Sequence, residues 1–156
     1  MIQVIRGSRR IVIAVVAAVL LGATALLFVS PTPTPASATA HPCGGGEFCL
    51  YFNEDANGGY YHFKGSDPNL DNDRYKGGDT GETVGDTARY AFNAGVPGPK
   101  DDVVIYGLPR YKGADACIRL DTWGTLPRNW WNNIESYRWV TNSQCEAAGP
   151  ISLGAR

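Results

Sequence analysis

Histidine is scarce in this chain: two residues, His41 and His62, among 156. Neither belongs to a motif that would make it a base or a ligand. G-x-S-x-G, H-E-x-x-H and a Cys/His pairing are all missing. His62 alternates with Tyr61 and Phe63 and reads as an ordinary strand residue. Acidic residues are common, but nothing marks two of them as a glycosidase pair. These absences point away from an enzyme. A cluster of basic residues is also missing from residue 41 onward, which argues against nucleic acid as a partner. No C-x-x-C spacing accompanies the four cysteines, so zinc is a poor fit. Beyond residue 40 no stretch keeps a helical period without a breaker.

Only one long apolar run exists, IVIAVVAAVLLGATALLFV at 11–29. Arg6, Arg9 and Arg10 precede it, PTPTPASATA follows, and Ala38 and Ala40 offer small residues before His41. That is the layout of a secretory signal peptide, residues 1–40. The competing reading is an uncleaved anchor with a stiff Pro/Thr stalk and the domain outside the membrane. Setting the leader aside leaves 11 basic and 15 acidic residues. The expectation is a secreted, monomeric domain over 41–156, mildly acidic and free of the membrane after cleavage.

All four cysteines, Cys43, Cys49, Cys117 and Cys145, lie in that exported part. An even count in a small secreted domain reads as two disulfides. Of the three pairings, Cys43–Cys49 with Cys117–Cys145 is favoured, because GGGEF lets the chain turn back between the first two. Six short aromatic and β-branched stretches read as strands: 48–52, 60–63, 88–92, 103–106, 116–120 and 136–140. Nineteen glycines and ten prolines suit the turns between them.

The chain echoes itself. YFNEDANG at 51–58 and YGLPRYKG at 106–113 share a Tyr-to-Gly spacing. DTARYAF at 86–92 aligns with NIESYRW at 133–139, pairing Tyr90 with Tyr137. The simplest account is a duplicated four-stranded unit, one copy packed face to face on the other.

These residues carry a resemblance. Tyr106, Tyr111 and Gly113 resemble the Greek-key signature of the βγ-crystallin superfamily, and NNIESY at 132–137 resembles its second signature. CGGGEFCLYFNEDANGGYYHF resembles the opening of the secreted actinobacterial proteins grouped with the streptomycete metalloproteinase inhibitor. The resemblance implies an all-β fold: two Greek-key motifs, about 47–95 and 101–145, packed as a βγ-crystallin-like β-sandwich. It implies an inhibitor of secreted metalloproteinases without cofactors or catalysis. For such an inhibitor, ADACIRLD at 114–121 is the expected contact segment, held at Cys117 and offering the bulky aliphatic Ile118. The alternative is a calcium-binding or cell-envelope module. There Ile134 would lend a carbonyl and Ser136 a hydroxyl to Ca²⁺, while Arg89 disfavours a site in the first half. Trp130 and Trp131 are adjacent, so in an extended stretch they point to opposite faces; an exposed one would anchor a protein partner or stack on a sugar, and the favoured reading is a capped edge of the core. Trp139 is expected in the core. The loop at 65–86 places Asp71, Asp73, Asp79 and Glu82 on an EF-hand ruler, but Tyr75 and Lys76 break it. It reads as a solvated acidic loop.

Overall fold

Alternation of apolar and polar residues generates two antiparallel sheets. A computed structural model describes residues 42–78 and 81–154. The leader, His41 and Asp79 lie outside the described residues. The first sheet is built from β1 (Glu47–Tyr51), β2 (Tyr60–Phe63), β3 (Tyr90–Ala94) and β6 (Trp123–Thr125), in the order β2-β1-β3-β6. The second has β5 (Lys112–Ile118), β4 (Asp102–Leu108) and β7 (Ser136–Val140), in the order β5-β4-β7. One α-helix, α1 (Asn142–Ala148), follows β7. The described residues fall in one compact unit, and no described helix is long and apolar enough to cross a membrane.

Neighbouring residues on a strand face opposite ways, so each strand contributes every second side chain to the interior. Phe48 and Leu50 of β1, Ala91 of β3, Val103 and Ile105 of β4, Ile118 of β5 and Tyr137 of β7 meet there. Phe48 and Phe63 both pack on the Tyr137 ring, at centroid distances of 4.8 and 4.9 Å. Burying each large aliphatic or aromatic side chain contributes roughly 1.5–3 kcal/mol relative to leaving it exposed.

The halves do not form one sheet each. β6 belongs to the second half by sequence, yet it pairs with β3 of the first, Ala91 opposite Gly124. In return Asp67 of the first half bridges to Tyr137 of β7. The simple face-to-face stack of two whole units is therefore corrected to two units that each pair with a segment of the other. β6 escapes sequence reading because it is three residues long with a glycine at its centre. Gly124 sits at φ 147°, and a Cβ there would strike the Gly154 carbonyl.

The internal alignment of the second element also shifts by one residue. Tyr51 opposes Tyr90, whereas its counterpart Tyr106 opposes Ser136. Tyr90 therefore corresponds to Ser136, and Tyr137 corresponds to Ala91. A one-residue slip reverses every side chain. Tyr137 is wholly buried in the main core, while Tyr90 packs on the outer face of the first sheet with Cys49, Tyr51 and Ala56. The repeat itself stands on the backbone. Ala56 and Tyr111 have φ of 58° and 59°, Gly58 and Gly113 of 83° and 82°, Asp86 and Asn132 of 55° and 53°. Two reciprocal hydrogen bonds cross between the halves: Asp86 N donates to Ile134 O at 3.0 Å, and Asn132 N donates to Ala88 O at 3.2 Å.

The 65–86 loop is not simply solvated. It sends Leu70, Tyr75 and Val84 into the core, and a short 3₁₀ turn over Leu70–Asn72 carries the first of them. Both favoured disulfides are present, Cys43–Cys49 with a Cα separation of 5.9 Å and Cys117–Cys145 with 5.2 Å. The second pins α1 over the outer face of the second sheet, where Val104, Tyr106, Cys117 and Val140 gather. The helix begins with a capping box, Thr141 accepting from Gln144 N and Gln144 Oε1 accepting from Thr141 N. TNSQ spells that box in the sequence, and it is the signal that announces the helix.

Replacing Cys117 and Cys145 together by Ser opens a loop of 28 residues. The expected loss is about 2–4 kcal/mol, read as a lower urea midpoint, with Cys43→Ser/Cys49→Ser costing less because its loop is shorter.

Candidate functional site

The hairpin between β4 and β5 is the best-braced exposed element of the fold. Its tip runs Gly107-Leu108-Pro109-Arg110-Tyr111. Arg110 and Tyr111 both hold φ of 59°, a left-handed backbone that non-glycine residues adopt only when their surroundings enforce it. Ser136 does the enforcing. Its buried hydroxyl donates to Leu108 O at 2.7 Å and accepts from Tyr111 N at 3.0 Å, closing the loop from inside. Arg110 N donates to Pro68 O at 2.7 Å, tying the tip to the other half. The Tyr111 ring packs edge-on against Tyr106 at 5.8 Å. Leu108 is left 49% exposed on this rigid frame. In the first half Tyr90 stands where Ser136 stands.

The expected protease-contact residues lie elsewhere. Ile118 is wholly buried in the main core, and Cys117 is wholly buried beneath α1 in its disulfide. Neither presents a surface, because their strand is covered on both faces at that end. Only the other end of β5, Lys112 to Asp115, is open to solvent.

The residues expected to lend oxygens to calcium both make hydrogen bonds within the fold. The Ile134 carbonyl accepts from Asp86 N, and the Ser136 hydroxyl closes the hairpin. Arg89 stands in a polar cleft with Asn53, Glu54 and Asp55. Its guanidinium lies 5.8 Å from the Phe52 ring and 5.4 Å from that of Trp131. Glu135 sits beside Asp86, and its carboxyl is raised above the ordinary range by burial first, then by the Asp86 carboxylate.

Three of the four tryptophans lie in or against the core. Trp130 is buried, in a short 3₁₀ turn over Arg128–Trp130 rather than a strand. Trp131 is half-buried: its indole N–H donates to Leu126 O at 2.6 Å, and the Arg128 guanidinium covers its ring at 3.7 Å. Trp139 packs, partly buried, against the core. The exposed one is Trp123, at 56%. With Pro42, Cys43, Tyr51, Ala56, Tyr90 and Phe92 it lines a 270 Å³ apolar cleft on the outer face of the first sheet. His62, also on that face, lies 3.3 Å from Glu47 through Nδ1.

No protein-family model matches the chain, and no curated protein does either. Solved structures match. One, from work on the evolution of the eye-lens βγ-crystallin domain fold, aligns with a TM-score of 0.50 and 17% identity, over 65% of this chain and 92% of that one. A βγ-crystallin from an archaeon aligns at 0.44 and 14%, over 62% and 100% of the two chains. A doubly substituted βγ-crystallin domain from Clostridium beijerinckii aligns at 0.43 and 14%, over 59% and 93%. With the strand exchange and the paired left-handed turns, the first of these defines the class: an all-β sandwich of the βγ-crystallin fold.

Two expected outcomes test this geometry. Ser136→Ala leaves Tyr111 N and Leu108 O without their partner, and unfolding in urea is expected to show a loss of about 1–3 kcal/mol. For Glu135, a folded-state pKa above the unfolded one means that the folded chain holds a proton the unfolded chain has released. Stability therefore falls as pH rises from the ordinary glutamate value through the raised one. Glu135→Gln is expected to flatten that fall and to be no less stable at neutral pH, measured by thermal melts across the window.

Proposed function

We propose that the protein is an exported, non-catalytic inhibitor that enters the cleft of an extracellular metalloproteinase with the tip of the β4–β5 hairpin. One observation carries this reading: Leu108 projects from a loop whose backbone is already held by Ser136, by the Arg110–Pro68 hydrogen bond and by two left-handed residues. A segment that is ordered before binding loses little conformational freedom on docking, and so converts more of its contact energy into affinity. Leu108 replaces Ile118 as the bulky aliphatic offered to the enzyme. Export is supported by two disulfides, which persist in oxidising compartments. The resemblance of the opening CGGGEFCLYF stretch to secreted metalloproteinase inhibitors supplies the target class. The calcium reading is the weaker one, because Ile134 O and the Ser136 hydroxyl already serve the backbone.

Titrating residues 41–156 against a panel of secreted, thermolysin-like metalloproteinases is expected to abolish the activity of at least one near equimolar protein. Leu108→Asp is expected to remove inhibition while leaving the melting temperature unchanged. Full activity of every enzyme at excess protein, or unaltered inhibition by Leu108→Asp, overturns the proposal.

A further inference from the structure

A 230 Å³ cleft on the outer side of β7 is lined by Ser66, Lys100, Tyr111, Arg138, Trp139 and Gln144. None of these is acidic. Two are cations, and among the described residues neither Lys100 nor Arg138 has a carboxylate at ion-pair distance. The Arg138 guanidinium is held between the Tyr106 and Tyr111 rings, 5.6 and 5.8 Å from their centroids. It is half-buried and hydrogen-bonds the Tyr106 hydroxyl, while its Nε–H has no acceptor. A charge partly withdrawn from water without a counter-charge is costly unless something else compensates it.

Ser66 and Gln144, both solvent-exposed, keep donor groups free of protein partners. Ser66 Oγ accepts from Trp139 N at 3.0 Å, which leaves its own proton unassigned. The Gln144 Oε1 is taken by Thr141, so the NH₂ end of that side chain is the one left over. The Trp139 indole N–H is buried and has no acceptor. Two cations, the buried Arg138 Nε–H and the open donor ends of Ser66 and Gln144, brought together around one concavity, are complementary to an oxyanion. Negative charge is near but limited. Asp67 acts on the Tyr111 phenol and Asp115 on that of Tyr106, and Asp67 already accepts from Asn69 N at 2.8 Å. Those two carboxylates reduce the field of the two cations, which suits a singly charged ligand over a doubly charged one.

We infer that this cleft is a carboxylate-binding site, with Arg138 and Lys100 supplying the charge and Ser66 and Gln144 the flanking hydrogen bonds. It stands apart from the hairpin reading, although Tyr111 belongs to both. The arginine and indole N–H resonances of ¹⁵N-labelled residues 41–156 report on it directly. With acetate added at constant ionic strength against chloride, the Arg138 resonance is expected to shift saturably. Arg138→Gln removes that probe, so the Trp139 indole and Ser66 amide follow binding in the variant. Arg138→Gln and the exposed-site variant Lys100→Gln should each weaken acetate binding by roughly tenfold. A linear, non-saturating shift, or acetate affinity unchanged in both variants, overturns the site. Inorganic phosphate or sulfate shifting the same resonances at lower concentration than acetate overturns the carboxylate assignment. Protease inhibition is a separate readout, so loss of one proposal leaves the other standing.

Discussion

Each half of this molecule lacks a strand of its own sheet. The first borrows β6, and the second is extended by Asp67; the two are laced by reciprocal hydrogen bonds from Asp86 to Ile134 and from Asn132 to Ala88. Everything else follows from that exchange. The core exists because Phe48, Leu50 and Phe63 of one half meet Ile105, Ile118 and Tyr137 of the other. Separating the halves would expose that apolar surface and leave backbone groups unpaired at once, so the halves are expected to fold as one cooperative unit.

Within this near-symmetric frame, the differences between the halves are where specific properties arise. Equivalent positions hold Ser136 in one half and Tyr90 in the other. The hydroxyl locks the second hairpin and lifts Leu108 into solvent, whereas the phenol lines an aromatic cleft. The outer face of the second sheet is partly covered by α1 and its disulfide, while the outer face of the first keeps Tyr51, Tyr90, Phe92 and Trp123 around an open groove. A duplicated scaffold thus presents two unlike faces. The divergence starts at a buried position, Ser136 against Tyr90, and is read out on the surfaces above it.

Much of the fold is legible in the residues. Five of the seven strands fall where aromatic and β-branched stretches place their cores within a residue or two, and β5 overlaps its expected stretch at 116–118. The disulfide pairing follows from the GGGEF turn and an even cysteine count. β6 is too short and too glycine-bearing to show a period. α1 is a seven-residue helix whose only advertisement is TNSQ. The slip between Tyr90 and Tyr137 arose because two tyrosines look alike in sequence, although only one of them points inward. The candidate site was harder to read. Cys117 and Ile118 have the chemistry of a contact segment, but burial depends on what lies above a strand, and α1 and the facing sheet lie above theirs.

From the sequence alone came the all-β character, the duplication and the staples, because strand periodicity, turn residues and cysteine number are local properties. Which strands exchange, which tyrosine faces the core, that Leu108 rather than Ile118 meets solvent, and that Lys100, Arg138 and Gln144 share one cleft were decided only in three dimensions. Those facts depend on contacts between residues tens of positions apart, and no window of sequence contains both partners.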